Sequence, residues 1–176
     1  MLNATATAPF RYVLTGPIQV LAIDDDPIMR EFVGVYLTTP RTTVETAASA
    51  EAGLRMLAQN RYDVVLLDID MPGMDGVEMV RVIRADPVLA DLPVVMVSGH
   101  EDVVNVDRAY DAGATSFVTK PVNWRLLSYH LRFVLRSVAN GAIRNGDAGT
   151  GASVRSASAP PPSAERTREP IFEASE

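Results

Sequence analysis

The run VVLLDIDMPGMDG at residues 64–76 opens on four branched apolar residues and continues through three carboxylates and a turn built on Pro and Gly. A short unbroken apolar run bounded by turn residues reads as a strand covered on both faces, the habit of inner strands in a parallel sheet. Asp68 then stands at the carboxyl end of that strand, with Asp70 two residues on. Met71-Pro72-Gly73 and Asp75-Gly76 turn the chain, the glycines permitting the sharp bend, and Asp75 suits the cap of a following helix.

Outward from this run the same alternation repeats. Strands are predicted at Gln19–Ile23, Thr43–Ala47, Val64–Leu67, Val94–Val97 and Ser116–Val118. Pro27 opens a first helix with Asp26 as its N-cap, and Ile28, Phe32 and Val35 recur along one face. Ser49 caps a second helix with a stripe of Leu54, Leu57 and Ala58. The third carries Val77, Val80 and Ile83 and stops at Asp86-Pro87. A fourth runs from about Glu101 to Ala112 and ends at Gly113, a left-handed stop. A fifth follows Pro121 and repeats Leu127, Leu131, Val134 and Val138. Strict alternation implies an α/β fold with a doubly wound, five-stranded parallel sheet and five helices. Right-handed crossovers leave few strand orders, and the flavodoxin-like order 2-1-3-4-5 is the one expected. Function in such a sheet sits at the carboxyl ends of the strands beside the switch between the first and third.

Composition bounds the rest. At 176 residues the chain accommodates one domain, expected over 18–140, with chain to spare. It has no cysteine, which excludes disulfides and thiol catalysis and suits a reducing, cytoplasmic setting. No apolar run approaches the roughly 18–20 residues of a membrane span, so no membrane partner is expected. Residues 1–17 lack the basic start and apolar stretch of a signal peptide and read as a loose leader. Residues 141–176 are rich in Gly, Ser, Ala and Pro, with Pro160-Pro161-Pro162 and no apolar period, and read as a tail with no core of its own. A net charge of −6 weighs against direct nucleic-acid binding, which needs clustered Lys and Arg.

The acidic residues are concentrated. Asp24-Asp25-Asp26 ends the first strand and Asp68 the third, and those strands should be neighbours. Taken alone, either group reads equally well as turn and cap residues. Brought together, their like charges must take up protons or share a cation. Oxygen ligands without His or Cys select a hard ion such as Mg²⁺. Ser98 at the end of the fourth strand and Lys120 after the fifth would add a hydroxyl and an ammonium. A carboxylate among a hydroxyl, an ammonium and a metal is a trap for a phosphoryl group, with the carboxylate as nucleophile.

Four motifs in order, VLAIDDDP at 20–27, VVLLDIDMPGMDG at 64–76, VVMVSGH at 94–100 and AGATSFVTKP at 112–121, resemble the receiver domains of bacterial two-component response regulators. The resemblance spans roughly Ile18 to Ala139 and implies a role for each matching position. Asp68 looks like the phosphoacceptor, supplied by a histidine kinase or a histidine phosphotransfer protein. Asp25 would ligate Mg²⁺, with Asp24 helping and the backbone carbonyl of Asp70 completing the protein's share. Ser98 and Lys120 would contact phosphoryl oxygens, and the Lys120-Pro121 bond resembles one that is usually cis. Phe117 matches the aromatic switch position, through which phosphorylation would reshape the surface of the fourth helix, fifth strand and fifth helix for a downstream protein partner. Asp70 and His100, each two residues past a site residue, would influence phosphoryl lifetime. The stripe at 127, 131, 134 and 138 is expected to pack on the sheet, with a homodimer seam as the other use of its spacing; Trp124 and Tyr129 are candidates for a partner-facing side.

Two other classes stay open on the sequence. Asp68-Ile69-Asp70 has the carboxylate spacing of aspartate-nucleophile, magnesium-dependent phosphatases, although Met71-Pro72 follows and two strands precede it. An interaction module that works without phosphorylation would carry the same fold. The receiver reading expects no independent substrate turnover.

Overall fold

The computed structural model describes residues 16–99 and 103–141. The leader up to residue 15, His100 and the tail from residue 142 lie outside the described residues. Among the described residues ten elements alternate: β1 Ile18–Ile23, α1 Pro27–Leu37, β2 Thr42–Ala47, α2 Ala50–Gln59, β3 Val64–Asp68, α3 Gly76–Ala85, β4 Val94–Ser98, α4 Val103–Asp111, β5 Ser116–Thr119 and α5 Trp124–Ala139. The strands pair in parallel in the order β2-β1-β3-β4-β5, as the alternation requires. Strand limits differ from the sequence expectation by a residue at an end, because polar end residues such as Asp68 and Ser98 still pair in the ladder.

Burial follows the apolar pattern. Every residue of β3 and β4 is buried, which accounts for their unbroken runs. Burying a Val or Leu side chain contributes about 1.5–3 kcal/mol, so these two strands anchor the core. One face of the sheet packs with α2, α3 and α4 through Ile23, Leu67, Met79, Ile83 and Met96. The other packs with α1 and α5 through Val20, Leu66, Val33, Leu127 and Leu131.

Helix starts match expectation. Asp26 accepts from the Ile28 amide at 2.8 Å, and Ser49 accepts from the Ala52 amide at 3.2 Å. Asp75 and Glu78 form a capping box at α3, which satisfies two amides that the helix itself leaves without partners. Gly113 closes α4 with φ +99°. One helix face differs from the sequence reading, and a second differs at one residue. On α1 the buried residues are Val33 and Leu37, whereas Ile28, Phe32 and Val35 are exposed. On α2 Leu57 is buried and Leu54 packs against the core as expected, joined by Ala50 and Gly53, whereas Ala58 faces solvent. Both helices carry apolar residues on more than one side, so periodicity alone did not select the inward face. On α5 the stripe packs on the sheet, with Leu127, Leu131 and Val134 buried. Among the described residues no helix is long and apolar enough to cross a membrane.

Candidate functional site

The site lies where β1 and β3 end side by side. Ile23 pairs with Leu67, so the next residue of each strand, Asp24 and Asp68, projects from the same edge. Asp24 and Asp68 are buried and Asp25 is exposed, and one oxygen from each of the three lies within 4.8 Å of the others. Lys120 reaches this group from beyond β4, where the chain leaves β5. Its Nζ stands 2.9 Å from Asp68 Oδ1 and 3.1 Å from Asp24 Oδ2. The Lys120-Pro121 bond is cis, and the Lys120 amide donates to the Ser98 carbonyl at 2.7 Å, which ties the lysine to the end of β4.

The electrostatics are lopsided. Burial pushes the Asp68 carboxyl above its ordinary range; the ammonium of Lys120 opposes that rise, and the charges of Asp24 and Asp70 add to it. Lys120 is also pulled down by its own burial, yet its two carboxylate partners prevail and raise it. One cation therefore serves two buried acids, and the acids remain short of positive charge. Asp68 Oδ1 meets Lys120 as an ion pair, and among the described residues no other donor reaches it. A buried oxygen in that condition, in an all-oxygen set of three carboxylates, fits a hard divalent cation.

Several supports hold the loops. Asp24 Oδ1 accepts from the Asp26 amide at 2.9 Å. Arg30 Nη1 donates to the carbonyls of Asp24 at 2.6 Å and Asp25 at 2.8 Å, clipping down the loop that presents both carboxylates. Sequence reading missed Arg30; the available signal was its place in the first turns of α1, where side chains lean back toward the helix start. Glu51 at the start of α2 accepts from the Met74 amide at 3.4 Å and so braces the loop after β3. That loop needs its glycines for different reasons. Gly73 sits at φ +81°, whereas at Gly76 a Cβ would collide with the Asp68 carbonyl oxygen.

The remaining predicted residues fall around this centre. Ser98 is buried at the end of β4, and its hydroxyl makes a long contact of 3.5 Å with Asp70 Oδ2. Asp70 is exposed. Phe117 is half-buried in β5 and packs against the core on the α4 side. Trp124 is half-buried; it stacks on Tyr36 at 5.7 Å and meets Phe32 edge-on at 6.2 Å, and both of those rings are exposed. Behind the carboxylates a cavity of ≈ 20 Å³ is lined by Asp24, Asp68, Met29, Val33, Trp124 and Leu127, room for about one water.

Comparison with known proteins gives a consistent result. The family model described as the response regulator receiver domain matches residues 20–132. The heme response regulator HssR of Staphylococcus aureus is 34% identical over 119 residues, covering 68% of this chain and 52% of that protein. The chain thus spans about half the length of the curated relatives it matches. Among solved structures, the chemotaxis protein CheY4 of Vibrio cholerae aligns with TM-score 0.65 and 30% identity over 68% of this chain and 99% of that one. A CheY-like receiver domain protein of Methanospirillum hungatei aligns with TM-score 0.67 and 26% identity over 72% and 99%.

Proposed function

We propose that this chain, which belongs to the response regulator receiver domain family, is a phosphorylation-dependent switch whose acceptor is Asp68 and whose working unit spans residues 18–140. Response regulator receivers take part in phosphorylation-dependent signalling and interact with histidine kinases; the residues and surfaces used here are our reading. The observation that carries it is the placement of Lys120 between two buried carboxylates, which share that one cation.

In this reading Asp68 attacks the phosphorus of a phosphohistidine on a kinase or phosphotransfer protein, and the histidine nitrogen leaves with the electron pair. Asp24, Asp25 and Asp68, with the Asp70 carbonyl, would hold Mg²⁺, which supplies positive charge against the phosphoryl oxygens. Lys120 contributes further positive charge at the acceptor oxygen and limits how far Asp68 rises. Arg30 and Glu51 keep the two loops in register. The hydroxyl of Ser98 is drawn to a phosphoryl oxygen, Phe117 turns into the space released, and the α4-β5-α5 face changes for a downstream protein. Asp70 and His100 tune water access and so the lifetime of the phosphoryl group. The receiver is not expected to turn over an independent substrate.

Incubation with Mg²⁺ and acetyl phosphate tests this reading. One phosphoryl group should appear in the intact mass and be absent from Asp68→Asn. Repeated turnover of small phosphate esters would instead establish a phosphatase, and no labelling with any donor would establish an interaction module.

A further inference from the structure

α5 presents two unlike stripes to solvent. Leu126, Tyr129 and Phe133 are 63%, 58% and 54% exposed and follow one another at three- and four-residue spacing, so they share a side of the helix. Beside them run Arg125, Arg132 and Arg136, all exposed. The helix contains no Asp or Glu, although the chain as a whole carries −6. Among the described residues no carboxylate forms an ion pair with any of these three arginines. An apolar stripe bordered by unpaired cations is suited to an acidic segment that also brings apolar anchors.

The chain contains such a segment. Residues 169–176 read EPIFEASE: Ile171 and Phe172 lie among Glu169, Glu173 and Glu176, and Phe172 is the one aromatic residue after α5. Arg125 to Arg136 spans about 17 Å along the helix, a length that eight residues at about 3.3 Å each can cover. Residues 142–168, counted at the same rise, can reach tens of ångströms, ample to return to α5. Other occupants fit less well. A phosphate backbone offers no apolar anchor for Leu126, Tyr129 and Phe133. A two-fold contact of α5 with α5 of a second copy would set arginine stripe against arginine stripe.

We propose that the segment Glu169–Glu176 docks on the α5 stripe of its own chain, with Ile171 and Phe172 on Leu126, Tyr129 and Phe133 and the glutamates facing Arg125, Arg132 and Arg136. Docking there covers part of the face assigned above to protein partners; that consequence rests on the earlier reading, whereas the docking does not. Tethering makes the contact effective even when the free segment binds weakly.

The test needs no phosphodonor, so it stands or fails apart from the chemistry of Asp68. A fluorescein-labelled peptide of residues 165–176 is titrated with the full chain carrying Ile171→Ser/Phe172→Ser, and anisotropy is followed. Saturable binding is expected, weakened at least tenfold by Arg125→Glu/Arg132→Glu/Arg136→Glu and also by Tyr129→Ala/Phe133→Ala. A peptide carrying Glu169→Arg/Glu173→Arg/Glu176→Arg should regain binding to the charge-reversed chain, which also shows that this chain is folded. The unaltered chain should bind the labelled peptide several-fold more weakly, because its own segment competes. Absence of binding, or equal binding by the charge-reversed chain, overturns the proposal. So does equal binding by the unaltered chain, and so does a dimer in sedimentation that survives Ile171→Ser/Phe172→Ser, since a second copy would then be the occupant.

Discussion

Lys120 Nζ lies 2.9 Å from Asp68 Oδ1, although β4 stands between β3 and β5 in the sheet. The lysine follows β5, and its side chain crosses the mouth of β4 to reach the acid. That crossing makes Asp68 electrostatically distinct from Asp25, which is exposed. It also suggests how strongly labelling should depend on the cation. In Lys120→Met the rate of labelling by acetyl phosphate should fall about 100-fold, the scale of losing one preorganised charge at a reacting group. Time-resolved intact mass would measure it, and a change of only two- or three-fold would count against a role for Lys120 in transfer.

Mg²⁺ should raise the melting temperature of the unmodified chain. A ligand at 100 times its dissociation constant stabilises by about 2.7 kcal/mol. Asp25→Ala removes an exposed carboxylate of the cluster, so it should leave the metal-free melting temperature nearly unchanged and abolish most of the rise. Thermal scans with and without Mg²⁺, with EDTA to reverse the effect, read both outcomes.

Gly76→Ala and Gly73→Ala should behave differently. At Gly76 the new methyl meets the Asp68 carbonyl oxygen, and relieving that clash moves Asp68 itself. A loss of about 1–3 kcal/mol in urea unfolding is expected, together with slower labelling. At Gly73 the obstacle is chiefly backbone conformation, φ +81°, with a cost of about 1–2 kcal/mol and labelling largely retained.

Arg84 supports the fold away from the site. Its guanidinium donates to the carbonyls of Gly113 at 2.8 Å, Leu92 at 2.8 Å and Ala90 at 3.2 Å, joining α3 to the loops around β4 and β5. Arg84→Ala leaves those carbonyls to be satisfied by water or not at all, so a loss of about 2–4 kcal/mol in urea is expected, given about 1–3 kcal/mol for each buried group left unpaired. The rate of labelling in buffer without urea should stay within two-fold.

His130 gives the packing of α5 on β5 a dependence on pH. Its Nε2 is 2.7 Å from Ser116 Oγ, and burial holds its pKa below the ordinary 6.5. The unfolded chain therefore binds the proton more readily than the folded one between the two pKa values. The stability contributed by neutral His130 is complete above pH 6.5 and is lost as pH falls through the folded value. Urea midpoints measured from pH 7.5 down to pH 5 should decline, and His130→Gln should remove that part of the slope; an unchanged slope in the variant would falsify the assignment.

Much of the fold was legible because its signals are local. Short apolar runs mark inner strands, Asp26, Ser49 and Asp75 mark helix starts, and Gly113 marks a stop, each through contacts within a few residues. Strand order followed from alternation and handedness. From order alone, the ends of β1, β3, β4 and the turn after β5 had to converge, and with them Asp24, Asp68, Ser98 and Lys120.

Packing decided the rest, since it depends on which surfaces meet across the sheet. The inward face of α1 departs from its periodicity because that helix carries apolar residues on several sides, and only contact with β1 and α5 selects Val33 and Leu37 over Phe32 and Val35. Trp124 proved to stack on Tyr36, a contact between residues far apart in the chain. Arg30 and Glu51 emerged as loop braces because long side chains find backbone groups that no spacing rule specifies. The same holds at Asp68: its position was plain from the chain, but its burial and the single cation it shares with Asp24 exist only where two strand ends and a distant lysine are folded together.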